Sequence, residues 1–298
     1  MEKCELCPRR CRADRDNKVN VGYCGGGADI KIARAALHFW EEPCISGKSG
    51  SGTIFFSGCP LKCVYCQNHE ISGGNYGAEI TVERLGDIML ELRDNGAHNI
   101  NLVSPTQYVP WIIRALDKVK HRLNLPVVYN TGGYENPETI RLLDGYIDIY
   151  LPDIKYYGSE YSLKYSGAAD YFDIAVKAVR KMLSQTGKYE LDGDMLRRGV
   201  MIRHMVLPGL RSDSIEIMKR IKENFGGDVL LSLMCQYTPN GKTNGILDRR
   251  VTTFEYNSVV NTAVSIGLDG YIQDRTAADS GYIPDFNLKG VINDGNVL

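Results

Sequence analysis

GTIFFSGCPLKCVYCQN, residues 52–68, joins a short apolar run to three closely spaced cysteines. GTIFFS (52–57) has the length and the β-branched and aromatic character of a buried strand, and Gly58 follows it. Cys59, Cys63 and Cys66 follow at C-x3-C-x2-C spacing, so one loop carries three thiols. In a parallel α/β fold, loops at the carboxyl ends of the strands carry the chemistry.

Outward from this stretch, short apolar runs alternate with longer amphipathic ones. NINLV (99–103), PVVYN (126–130), YIDIYLP (146–152), GVMIRHMVLP (199–208) and VLLSLM (229–234) read as further strands. Helical spacing appears at 81–96, 106–123, 136–145, 168–187, 212–227 and 252–267, with Gly96 placed as a C-cap and Asn136-Pro137 as N-cap and first helical residue. GLDGYIQ offers an edge strand. Strands alternating with helices imply βαβ units. Six strands fall short of a full eight-stranded barrel, so the expected fold is α/β, a partial (β/α)6 TIM-like barrel over residues 51–298. Residues 1–50 read as irregular, a small Cys-rich metal-binding lobe plus a linker.

The chain has 298 residues, 43% hydrophobic and 24% charged, a globular composition. Its net charge of −1 gives no global attraction to nucleic acid or anionic lipid. The N-terminus lacks the apolar core of a signal peptide and no run is long enough to span a membrane, so a cytoplasmic location is expected. Eight of the nine cysteines lie within the first 66 residues. Thiols clustered this way in a reducing compartment point to metal ligands or catalysts. Three thiolates on one loop fit a [4Fe–4S] cluster with one iron left without a protein ligand; a zinc site completed by a distant Cys or His such as His69 is the alternative.

With Tyr65 before its last cysteine, this triplet resembles the radical S-adenosylmethionine (SAM) superfamily. The resemblance implies that the open iron chelates SAM, that an electron from the cluster cleaves the sulfonium bond, and that a 5′-deoxyadenosyl radical takes a hydrogen atom from substrate. GTIFFSGCPLKCVYCQN, DIYLPDIK and RHMVLPG together look like the pyruvate formate-lyase activating enzyme-related branch, whose members activate glycyl-radical enzymes. That likeness implies a glycine of a partner protein as the substrate and an external one-electron donor such as flavodoxin or ferredoxin. It also places Asp153, Lys155 and Arg203 against the cofactor. Where the superfamily carries Gly-Gly-Glu after the second strand, this chain has VSPTQ, in which Ser104, Thr106 or Gln107 offers acceptors. Asn130, Thr131 and Gly132, after the third strand, are further cofactor contacts. The D-G-P-G-x-R prelude of the activases is replaced by ISGKSGSG.

Cys4, Cys7, Cys11 and Cys24 make C-x2-C-x3-C-x12-C, enough for one closed four-thiolate site, either zinc or a second [4Fe–4S] cluster acting as an electron relay. Cys44 reads as a buried inert thiol, and Cys235, just past the sixth strand, as a possible hydrogen-atom relay. His204 reads as a core histidine, because it and Arg203 point opposite ways along one strand. LHFWEEP (37–43) either covers the barrel mouth or fixes the linker. Besides the glycyl-radical activase, two readings stand: a radical enzyme acting on another macromolecule or small metabolite, and a non-catalytic protein, either an Fe–S electron carrier or a zinc-stabilised binding module.

Overall fold

The computed structural model describes residues 3–15, 22–241, 243, 245–274 and 284–292. Its strands are β1 (Ile30–His38), β2 (Ser51–Phe56), β3 (Ala78–Ile80), β4 (Ile100–Val103), β5 (Val127–Thr131), β6 (Ile149–Pro152), β7 (Glu190–Asp192), β8 (Met195–Met205), β9 (Leu230–Met234) and β10 (Gly270–Ile272). They form one sheet in the order β10-β9-β8-β6-β5-β4-β2-β1-β3, with β7 paired to β8. Every neighbouring pair from β2 to β10 along that order is parallel. The six strands read from sequence are the central parallel ones, and 270–272 is the edge strand.

The expectation that residues 1–50 are irregular fails at β1, which pairs antiparallel with β2 and β3. Its sequence, IKIARAALH, contains a register shift between Ile32 and Arg34, and that bulge breaks the alternation that marks a strand. The sheet thus begins some twenty residues earlier than the expected boundary. A helix at Ser159–Ser166 and the β7–β8 hairpin also lie outside the sequence reading.

Helices Val82–Asp94, Val109–Leu123, Tyr171–Thr186, Arg211–Phe225 and Thr253–Ser265 bury their apolar stripes. Thr252 and Glu255 form a capping box at the last of them. Asn136 occupies its N-cap position without a side-chain cap; its Nδ2 donates instead to Glu5 O at 2.7 Å. Among the described residues, no helix is long and apolar enough to cross a membrane.

Alternation along the parallel strands divides the core. Leu102, Tyr129, Tyr150, Ile202 and Leu233 face the helical layer. Val128, Ile149, Leu151, Met201 and Leu230 face the other way, packing with Cys44 and Ile45 into a second cluster. The same inward parity, followed two residues further toward the carboxyl ends, reaches Asn130, Asp153 and Arg203. An apolar plug therefore closes one end of the barrel and leaves polar side chains at the other.

Candidate active site

The cysteine loop begins where β2 ends, and Gly58 shapes its start. Gly58 has φ +89°, and a Cβ there would lie 2.5 Å from the Cys24 carbonyl oxygen, so only glycine lets the two segments meet. Cys59 N–H donates to that carbonyl at 3.1 Å. Gln107 clamps the strand-to-loop junction from beneath, its amide donating to the carbonyls of Ser57, Gly58 and Ser104. An aromatic cluster holds the far side. The Tyr65 ring packs edge-on against Tyr156, Tyr165 and Tyr237, and its hydroxyl accepts from Tyr156 at 2.6 Å.

The three thiols face one another closely enough to interact electrostatically. Burial pushes Cys59 up to about 12, reinforced by Cys63 and Cys66, and burial also raises Cys66. Metal loading must therefore displace protons. Donors already face the sulfurs: Leu61 N–H to Cys59 Sγ at 3.4 Å and Ser166 Oγ to Cys63 Sγ at 3.0 Å. Among the described residues, no three Cys, His, Asp or Glu side chains gather where a single metal ion would sit. One tetrahedral ion needs donors within roughly 2–2.3 Å of a point, whereas a cluster spreads its thiolates over separate irons. Three thiolates on one loop leave a four-ligand zinc site one donor short and fit a [4Fe–4S] cluster with one iron not ligated by protein.

Cys63, Tyr65 and Cys66 open onto a cavity of about 220 Å3, whose opposite wall carries Asn130, Asp153, Lys155 and Arg203. Arg203 spans that wall. Its Nε donates to Asp153 at 3.0 Å, one terminal nitrogen to Asn130 Oδ1 at 2.6 Å, and the other to Glu41 Oε2 at 3.3 Å. Asp153 also pairs with Lys155. Burial alone would raise the Asp153 carboxyl, but Arg203 and Lys155 outweigh it and hold it below its ordinary value. Glu41 is the reverse case: burial dominates over Arg203 and lifts it to about 7. Asn101 and Asn130 donate to its other oxygen at 3.2 and 3.4 Å. His38 and Trp40 line the same cavity, so LHFWEEP borders the site rather than serving only as a linker.

Glu41 escaped the sequence reading as a site residue because it lies beyond β1, whose bulge hid the strand. Four expected contacts, Ser104, Thr106, Thr131 and Gly132, are also placed elsewhere. Thr131 follows Tyr129 in parity and faces the helices, and both Thr131 and Thr106 donate their hydroxyls to the fully buried Glu135. Together with Ser104 and Gly132 they line a separate small crevice beside Cys59. Cys235 has the parity of Leu233 and does not face the cavity; its thiol lies against the carbonyls of Gln273 and Asp274, while Met234 and Gln236 face inward. His204 is a satisfied core histidine, Nδ1 at 2.6 Å from Ile154 O and Nε2 at 2.9 Å from Ser214, with burial lowering it to about 4. Cys44 is buried in the apolar plug.

Glu135 gives a pH signature. Burial raises it to about 7, against an unfolded value near 4.5. The folded state binds the extra proton, so this group's contribution is fully favourable below the unfolded value and erodes as pH rises to about 7. The loss is on the order of 3 kcal/mol at most. Glu135→Gln is expected to flatten that slope, with the variant gaining on the wild type as pH rises. Denaturant melts across the range check it, and parallel profiles for both proteins would contradict it.

A partial α/β barrel with three loop cysteines at its carboxyl edge, opening onto a charged cavity, defines a class of cluster-dependent enzyme. The radical SAM superfamily model matches residues 53–221, more than half of the chain, and the protein belongs to that superfamily. It is a radical SAM enzyme, and membership implies a [4Fe–4S] cluster and SAM. The chain is 30% identical over 280 residues to the uncharacterized protein MJ0674 of Methanocaldococcus jannaschii, covering 90% of this chain and 76% of that one. Among solved structures it is similar to a radical SAM methyltransferase from Sphaerobacter thermophilus, with TM-score 0.53, 13% identity and coverage of 75% of this chain and 66% of the other. It is also similar to SuiB of Streptococcus suis bound to the precursor peptide SuiA, with TM-score 0.52, 15% identity and coverage of 72% of this chain. The match spans 46% of SuiB. At these identities the solved structures establish the fold.

Proposed function

We propose that Cys59, Cys63 and Cys66 hold the cluster, that SAM lies in the adjoining cavity, and that the enzyme abstracts a hydrogen atom from a glycine of a partner protein. The reading is carried by one observation: two of the three thiols and the Asp153–Lys155–Arg203 array line the same cavity. When bound, cluster and SAM supply reductive cleavage of the sulfonium bond and the hydrogen-abstracting radical. The chain's own residues supply the rest. Lys155 and Arg203 are cations for a cofactor carboxylate, while Asp153 and Asn130 offer oxygens to ammonium or ribose donors. Tyr65 fixes the loop beside the cofactor. Phe55, Val103, Met205 and Met234 contribute apolar wall that excludes water from a reactive intermediate.

A macromolecular substrate is supported by the open sheet, which ends at β3 and β10 instead of closing, and by Trp40, 60% exposed at the cavity rim. Anaerobically reconstituted protein, SAM, reduced flavodoxin or ferredoxin and a glycyl-radical-type enzyme are combined, and a glycine-centred radical is sought by electron paramagnetic resonance (EPR). Deuterium on the target glycine is expected in the 5′-deoxyadenosine. Cleavage of SAM with no glycine-centred radical and no deuterium transfer would remove the activase reading and leave another macromolecule or a small metabolite as the substrate.

A further inference from the structure

The N-terminal segment carries a buried cation that no carboxylate among the described residues neutralises. Arg15 is 1% exposed, its guanidinium stacked at 4.9 Å over Trp111 and 5.7 Å from the Tyr108 ring centre. Nε donates to Gly27 O at 2.7 Å, and one terminal nitrogen lies 3.8 Å from Cys4 Sγ. The other terminal nitrogen is buried with no hydrogen-bond partner. Among the described residues, no carboxylate pairs with this side chain. A guanidinium cannot shed its proton, and a buried charge without a counter-charge is strongly unfavourable.

That orphaned nitrogen lies beside Cys24 Sγ, one of the four thiols. A Cβ added at Gly26 would meet it at 3.2 Å and Cys24 Sγ at 3.3 Å; one added at Gly22 would lie 3.4 Å from both Cys11 Sγ and Cys24 Sγ. Gly26 N–H already donates to Cys24 Sγ at 3.3 Å. Two glycines thus leave room around the sulfurs, and N–H groups face into it.

We propose that Cys4, Cys7, Cys11 and Cys24 bind a second iron–sulfur cluster and that Arg15 is its buried counter-cation. Four thiolates around such a cluster leave it net negative, which supplies the missing anion. Zinc fits less well. It draws its thiolates from separated pairs closing on one point, whereas three of these four fall within eight residues. The segment is fastened to the cysteine loop, Arg9 donating to Pro60 O and Cys59 N–H to Cys24 O, and to two helices of the barrel, Arg9 donating to Ser166 O and Thr139 to Leu6 O. Cluster binding would order a segment that has almost no apolar core of its own.

The inference is independent of SAM chemistry and is tested without it. The variant with Cys59→Ala, Cys63→Ala and Cys66→Ala, reconstituted anaerobically, is expected to keep about four irons per chain and to give the EPR signal of a reduced cluster. Zinc in place of iron, or no metal in a variant that still melts cooperatively, overturns the site. Should that variant not fold, Cys4→Ala with Cys24→Ala in the otherwise intact chain reads the same quantity, with iron expected to fall from about eight to about four. For Arg15, removing a cation beside the sulfurs destabilises the more negative reduced state. Arg15→Gln is therefore expected to lower the midpoint potential of this cluster or lose its iron, and Arg15→Lys to retain both more nearly. An unchanged potential with full iron in Arg15→Gln overturns the counter-cation role.

Discussion

Cys59→Ala, reconstituted anaerobically and reduced in the presence of SAM, is expected to release no 5′-deoxyadenosine and no methionine. A cluster with one open iron has three protein ligands and no spare, so loss of one thiolate leaves two irons without protein ligands. No neighbouring thiol is placed to substitute. The Cys24 carbonyl touches Cys59 N–H, but its sulfur accepts from Gly26 and belongs to the N-terminal group. Cys63 and Cys66 are the other members of the same set. The variant should nevertheless fold, because Gln107 and the tyrosine cluster fasten the loop at both ends without using Cys59 Sγ. Iron is expected to fall by about four per chain, leaving only the N-terminal contribution. SAM cleavage retained at even a tenth of the wild-type rate would show that the catalytic ligands lie elsewhere.

What the sequence disclosed depended on whether a local signal survived its surroundings. The six parallel strands were legible because each is a short apolar run set between helical repeats, while Asp153 and Arg203 were read from the family resemblance and Asn130 from its place after the third strand. A parity argument separated Arg203 from His204. Applied to the sixth strand it would have set Cys235 on the side of Leu233, away from the cavity, and applied to the third it would have sent Thr131 outward with Tyr129. Those two misplacements came from proximity to the sheet edge taken as orientation. Glu41 and Arg15 were illegible for a different reason. Both matter through partners far off in the chain, Arg203 for one and Trp111 and Tyr108 for the other, and neither sits in a periodic element. The Glu135 knot is similar: the hydroxyls of Thr106 and of Tyr129 and Thr131 on β5 meet one carboxyl, and no spacing announces it.

Arg203→Met is expected to cost about 3–5 kcal/mol of stability and to weaken SAM binding by at least tenfold, since the same side chain neutralises two buried carboxylates and presents the wall of the cavity. The Coulomb logic is asymmetric. Asp153 keeps Lys155 as a partner, whereas Glu41 has Arg203 as its ion-pair partner, with Asn101 and Asn130 as neutral donors. Glu41 titrates at about 7 with Arg203 present, so it is largely protonated at about pH 6 and largely ionised at about pH 8. At the lower pH the variant loses mainly the interaction with Asp153 and the hydrogen bond to Asn130. At the higher pH it must in addition hold Glu41 protonated against solvent or bury its charge unpaired, so the stability gap between the proteins should widen as pH rises. Asp153 works oppositely: its depressed value adds stability above the unfolded carboxylate pKa that is lost only as pH falls through the folded one, well below this window. Denaturant melts of both proteins at the two pH values measure the gap, and Arg203→Met combined with Glu41→Gln should remove its pH dependence. A gap that stays constant between them would show that Glu41 is not energetically tied to Arg203. The array would then reduce to the Asp153, Lys155 and Arg203 read from sequence.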